Sequence, residues 1–236
     1  MNPRTRKTLR ISTLFALTVA LLATTQFAAN SNAQHLQQGV SVQLAPTANA
    51  LPMPAADNED AWIVAITADG KVYFGVDPVD PASLADVMKS RPRNREQMLY
   101  IKADARTPFA NVARVLEAGR RVWFDTPILL TSQPQSSQSG MVAPRGLLVS
   151  LRQPDGLETV GVQVYRSDQN SPAVKINHEQ VSWSSLQTKL DQILPNANDK
   201  TALIKADGQL PFDRVARVLD ACAAAGLKTV LVTPEL

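Results

Sequence analysis

The chain has 236 residues, of which 44% are hydrophobic, 19% charged and 5% aromatic, a globular composition that excludes wholesale disorder. A formal charge of +3 and a pI near 9.1 look like a nucleic-acid signature, but Arg4, Arg6, Lys7 and Arg10 crowd the first ten residues and no acid precedes Asp57. Without Met1 to Ala33, 20 basic residues face 21 acidic ones, so the body of the protein has no electrostatic footprint for a polyanion and no nucleic-acid partner is expected.

Residues 1–33 read as an export signal or a membrane anchor. A basic start, MNPRTRKTLR, precedes Ile11 to Ala29, a stretch without charge whose strongest part, Leu14 to Ala23, is shorter than the roughly 20 apolar residues of a spanning helix. Ser31 and Ala33 are the small residues a signal peptidase reads, so cleavage after Ala33 is the leading expectation and gives a periplasmic protein. The alternative is an uncleaved single-pass anchor with its basic end in the cytoplasm. Both place the body outside the cytoplasm. Residues 34–60, rich in Ala, Gln, Asn and Pro, have neither helical nor sustained strand periodicity and read as a flexible tether.

The first folded module is expected over 61–131. WIVAIT runs into the turn Ala68-Asp69-Gly70 and KVYFGV continues as a second strand, which makes a hairpin. A helix follows, with Asp80 as N-cap, Pro81 at its first position and Leu84, Val87 and Met88 at helical spacing. MLYIKA is the next strand, a second helix opens at Pro108 behind Thr107 as cap, and a last strand lies around Pro127 to Thr131. Residues 132–144 contain the polar run SQPQSSQSG and read as a linker. The second module, 145–236, repeats the order: strand LLVSL, strands GVQVY and AVKIN, a helix capped by Ser182, strand TALIKA, a helix from Pro211 ended by Gly226, and strand TVLVT.

The two halves are related. IKADARTPFANVARVL, Ile101 to Leu116, and IKADGQLPFDRVARVL, Ile204 to Leu219, share eleven of sixteen residues without a gap. A period near 103 residues is a domain, too long for a solenoid repeat. The element order predicts an α+β fold, a two-layer α/β sandwich in each of two tandem domains, each a small mixed sheet with two helices. Modules of this size bury only about 60 to 65% of their unfolded surface, so the copies are expected to pack together or to form a homodimer.

Catalytic patterns are sparse. His35 and His178 have no second ligand at metal spacing, no Walker loop, GxSxG or HExxH occurs, and no enzyme activity, metal or cofactor is expected. Cys222, the only cysteine, shares a helical face with Phe212, Val215, Ala216 and Leu219 and reads as a small buried hydrophobe. The repeated Lys-Ala-Asp ends a strand just before a helix. Asp104 and Asp207 there suit the positive helix end, a sufficient structural role, and with the solvent-facing Arg114 and Arg217 they are the candidate partner-binding residues.

The hairpin with ADGKVYFG, the helix VDPASLADVM, the passage IKADARTPFANVARVL before a strand ending LLT, and the closer copy IKADGQLPFDRVARVLDACAAAGLKTVLVTP resemble the periplasmic domain of ExbD/TolR biopolymer transport proteins. With VSVQLAP, similar to the segment after that family's membrane helix, the resemblance covers about four fifths of the chain. It implies an inner-membrane protein facing the periplasm that works with an ExbB/TolQ-like channel protein and passes proton-motive energy to a TonB- or TolA-like protein. Two departures stand out: Ile11 to Ala29 lacks the aspartate that the family carries in its membrane helix, and the periplasmic domain is duplicated. The expected function is a non-catalytic envelope component that binds partner proteins. The alternatives are a periplasmic binding module for peptidoglycan or a small ligand and, more remotely, a hydrolase with a site between the modules.

Overall fold

The computed structural model describes residues 40–94, 96–133, 144–152, 158–167, 169, 171–193 and 200–233. The first copy begins with β1 (Leu51–Pro52), a 3-10 turn (Pro54–Asp57), β2 (Trp62–Ile66), β3 (Val72–Phe74), β4 (Asp77–Val79), α1 (Leu84–Ser90), β5 (Leu99–Ala103), α2 (Phe109–Arg121) and β6 (Ile128–Thr131). Then come β7 (Arg145–Leu148), β8 (Glu158–Arg166), β9 (Pro172–Ile176), β10 (Glu179–Val181), α3 (Leu186–Ile193), β11 (Lys200–Ala206), α4 (Phe212–Ala224) and β12 (Lys228–Val232). The class is α+β, with two mixed sheets and four α-helices among the described residues.

The sheet orders are β1-β7-β6-β5-β2-β3-β4 and β10-β9-β8-β11-β12. Both are built on the same three parallel strands. Ile101 of β5 lies in register with Val64 and Leu129, and Ile204 of β11 with Val162 and Leu231. Both central strands lead through a proline into a 13-residue helix, α2 or α4. KVYFGV does not continue as one strand, because Gly75, at φ 65°, turns the chain and β4 folds back on β3. The second copy makes the same reversal at Asn177 and His178, at φ 46° and 76°, so His178 sits in a turn.

Helix starts differ from the expected caps. The Asp80 carboxylate accepts the Ala82 N–H at 3.0 Å, yet α1 begins only at Leu84, after an irregular turn. Ser182 Oγ accepts the Ser185 N–H at 3.2 Å, one residue before α3. Thr107 does not cap α2, since its hydroxyl accepts from Asn111 Nδ2 at 3.1 Å and Pro108 holds the cap position without a side-chain bond. The other copy satisfies the helix instead. Phe109 N–H donates to the Leu210 carbonyl at 2.8 Å and Ala110 N–H to Gly208 at 2.9 Å, while Phe212 N–H donates to Thr107 and Asp213 N–H to Ala105, each at 2.9 Å. These four bonds form two equivalent pairs, so the copies meet about a local pseudo-two-fold. Gly208 suits the close approach, since a Cβ there would lie 3.1 Å from the Ala110 methyl.

The tether reading of 34–60 is corrected over its described part. Ala45, Ala50 and Ala56 are buried: Ala45 and Ala50 join the cluster that holds the helices, whereas Leu44, Met53 and Ala56 pack on the first sheet with Ile63, Tyr100, Ile128 and Leu130. Small apolar residues make a thin cover here, and the backbone, whose one strand β1 is two residues long, bonds to the ends of β5, β6 and β7. Gly146 admits it, because a Cβ there would meet Met53 at 3.3 Å and Ile128 at 2.3 Å. LLVSL is corrected as well. Strand β7 pairs with β6 of the first sheet and touches the second through Ser150, bridged to Val230. Of the expected linker, residues 134–143 lie outside the described residues, whereas Ser132 bonds to Ala45 and Thr47.

One apolar cluster runs through both copies. It includes Phe109, Val112 and Leu116 and their counterparts Phe212, Val215 and Leu219, the stripes expected from the sequence. Phe109 and Phe212 are both fully buried beside the inter-copy bonds. Phe212→Ala is expected to cost about 3 to 5 kcal/mol by opening a cavity in this shared core. Urea unfolding should show the two copies destabilised together in one transition, since neither keeps an intact core.

Candidate functional site

The Lys-Ala-Asp repeats end the central strands at the helix N-termini. Asp104 follows β5 directly, its N–H donating to Ile66 O at 2.8 Å. Its carboxylate accepts the Gln43 N–H at 3.0 Å, the Arg106 N–H at 3.1 Å, and Arg106 Nε and Nη2 at 2.8 and 2.9 Å. The Ala105 N–H completes the contact by donating to Gln43 O at 2.7 Å. Asp104 is therefore a buried latch for the covering segment, 2% exposed. The Arg106 guanidinium, aided by the Gln43 and Arg106 N–H groups, holds its carboxyl at about 2 against the opposing effect of burial.

Asp207 occupies the same point of the second copy without a covering strand. Its N–H donates to Val164 O and its carboxylate accepts the Gln209 N–H at 2.8 Å. Lys102 is 5% exposed beneath the covering segment, where burial pushes its ammonium down and Asp57 opposes the shift, whereas Lys205 is exposed. Arg114, bonded to Asn111 Oδ1 at 3.4 Å, lines a cavity of about 470 Å³ with Asp80, Pro81, Ala85 and Glu117. Arg217 instead donates to Trp183 O at 3.1 Å and its guanidinium stands 5.1 Å from the Trp183 ring. The four candidate residues thus occupy separate places in two copies and form no common site.

The Cys222 thiol singled out from the sequence is not activated. Cys222 is fully buried on α4, and desolvation pushes its thiol up to about 12. Among the described residues no three His, Cys, Asp or Glu side chains gather at a metal-binding distance.

A cleft that sequence reasoning missed lies between the covering segment with β7 and the α4–β12 turn. It encloses about 560 Å³, and its lining includes Leu51, Leu147, Leu148, Leu219, Ala223 and Leu227. Leu51 and Leu148 are 60% and 50% exposed, unusual for leucines side by side in one groove. Strand β12, which forms one wall, is the last strand of its sheet, and among the described residues Ser150 bridges its outer edge, donating to Thr229 O at 2.8 Å and accepting the Leu231 N–H at 2.9 Å. The wall opposite depends on the covering segment, which Asp220 of α4 also holds by accepting the Ala48 and Asn49 N–H groups at 3.0 and 2.8 Å. The only signal in the sequence was Leu51 and Met53 in a run of Ala and Pro, too short to separate from linker composition.

Duplicated mixed sheets, each with a proline-led helix after Lys-Ala-Asp, agree with the family comparison. The family model for biopolymer transport protein ExbD/TolR matches residues 11–134 and again residues 124–235. The chain belongs to the ExbD/TolR family. No curated protein matches it significantly. ExbD/TolR proteins are non-enzymatic components of biopolymer transport in the cell envelope and work with ExbB/TolQ and TonB/TolA proteins. Among the described residues no helix is long and apolar enough to cross a membrane, and the candidate anchor Ile11 to Ala29 lies outside them.

The latch yields two expectations. Asp104→Ala should cost about 1 to 3 kcal/mol, the range for losing hydrogen bonds to a charged group, and should speed proteolysis within residues 40–50. Because the folded carboxyl titrates below its ordinary 3.8, its stabilisation is present above about pH 4 and is lost as pH falls toward 2. Acid unfolding of the wild type should therefore be steeper in that window than that of the variant.

Proposed function

We propose that this ExbD/TolR protein is a non-catalytic envelope component that binds an extended segment of a TonB- or TolA-like protein in the apolar cleft beside β12. The observation that carries the reading is the cleft itself: apolar walls and a sheet edge suit a polypeptide that adds a strand and buries alternate side chains. A small polar ligand or peptidoglycan is the alternative, and Asn49, Arg152 and Lys228 at the lining are the groups it would use, but apolar surface makes up most of the walls. Leu51→Glu and Leu148→Glu alter half-exposed side chains, so they should leave the melting temperature nearly unchanged. They should weaken binding of the purified TonB/TolA-like periplasmic domain at least tenfold by calorimetry. Unchanged affinity in both would remove the cleft from the reading.

Direct proton coupling is not part of this function. Proton passage through hydrocarbon needs a group that titrates there, and Ile11 to Ala29 offers only hydroxyls from Ser12, Thr13, Thr18, Thr24 and Thr25 and the amide of Gln26. The chain should fail to restore proton-dependent uptake in cells that lack their own ExbD/TolR subunit and retain the channel protein. Leu21→Asp or Leu22→Asp tests whether the acid alone is missing, and uptake by the unmodified chain would show that the acid comes from another subunit. The envelope location has two forms, periplasmic after cleavage at Ala33 or inner-membrane with the segment retained. The intact mass of protein recovered from cells distinguishes them.

A further inference from the structure

The end of the first copy where α2 stops differs in side chains from the equivalent end of the second. Trp123 follows α2 at φ 68° and is 76% exposed. The same left-handed position after α4 is held by Gly226, at φ 73°. A tryptophan there suffers steric strain that glycine avoids and leaves most of a large apolar side chain in water. The turn is fixed from beneath. Arg93 donates to the Val122 carbonyl at 2.6 Å, and its guanidinium lies 3.8 Å from the ring of Phe124, which packs against Trp62 at 5.5 Å.

Arg91, Arg93, Arg120 and Arg121 belong to the two segments of the first copy that meet at this turn. Arg91, 4.9 Å over the Phe74 ring, and Arg93 belong to the run RPRNRE, which the second copy replaces in register with LPNAND. Arg120 and Arg121, both paired with Glu117 at 2.9 and 3.6 Å, correspond to Ala223 and Ala224. One copy has therefore kept a bland alanine-glycine end while the other carries tryptophan and arginines.

We propose that this end of the first copy, around Trp123, is a docking surface for an acidic segment of a partner envelope protein. Tryptophan and arginine are the residues most enriched where interfaces concentrate their binding energy, and the cations select carboxylates. A lipid surface fits less well. A single exposed ring on a turn offers little apolar area to enter a bilayer. A glycan fits less well too, because the indole stands on a protruding turn with no concave site around it. The proposal rests on the reading of the chain as a protein-binding component, though Trp123 is not among the cleft's lining residues.

The test uses the purified full chain and a fluorescein-labelled 20-residue poly-L-glutamate, read by anisotropy at 50 and 200 mM salt. Expected is salt-sensitive binding that blue-shifts tryptophan emission, falls at least tenfold in Trp123→Gly and in the double variant Arg120→Ala, Arg121→Ala, and is unaffected by Leu148→Glu. Trp123→Gly should also melt about 2 to 4 °C higher, because glycine relieves the strain. Equal affinity in Trp123→Gly, a lower melting temperature for it, or tighter binding to vesicles of phosphatidylethanolamine and phosphatidylglycerol (7:3) or to soluble muropeptides would each overturn the proposal. Each of these results can occur while the cleft binding and the uptake result stand.

Discussion

Four backbone hydrogen bonds hold the arrangement together. A helix begins with N–H groups that its own turns cannot satisfy, and Pro108 and Pro211 supply no side-chain cap. Each long helix places its first donors on loop carbonyls of the other copy: Leu210 and Gly208 for α2, Thr107 and Ala105 for α4. Separating the copies would strand these donors and expose Phe109 and Phe212 at the same moment. Water would take up the freed donors, so each bond contributes only about 0.5 to 1.5 kcal/mol net, and the exposed phenylalanines make up most of the cost of opening the interface. That reciprocity completes two modules too small to be robust alone.

Much of this frame could be read in the chain. The eleven identities between Ile101–Leu116 and Ile204–Leu219 fall on the strand, the proline and the buried helix stripe, positions where packing and backbone geometry leave little choice. The hairpin turn at Gly70 and the helix stop at Gly226 were legible for the same reason, since both take a positive φ. What escaped was long-range. Thr107 looks like a cap in its local sequence, but the donors it would have served already bond to Leu210 and Gly208. Residues 40–60 look like linker because alanine and proline make a thin cover with no period of their own. Their fixation depends on Asp104 and Asp220, tens to more than a hundred residues away. The candidate residues were found individually, yet nothing in their spacing predicted that Asp104 would be a latch and Asp207 would not.

Duplication has let the two copies diverge on a common frame. Covering one sheet face buries Lys102, while the matching Lys205 stays in water. Arg217 lies against Trp183, whereas Arg114 faces Pro81 across an open cavity. The cleft lies where the strand between the copies joins the first sheet and the chain after it meets the β12 edge through Ser150. A single-copy protein would have to serve every partner with one set of side chains. Here the repeated core bears the packing constraints, and its two surfaces can carry different chemistry.

The covering segment also has a mechanical character. Tension arriving along the chain at residue 40 meets the Gln43 contacts with Asp104 and Ala105 first, then Thr47 with Ser132, then Ala48 and Asn49 with Asp220. Bonds loaded one after another peel at low force, whereas the sheets behind them, with strands bonded along their length, resist as units. The segment is a compliant spring in series with a stiff body. Its extension uncovers Tyr100 and Lys102 on the first sheet and takes away one wall of the cleft, so a pull on the chain is converted into a change of surface.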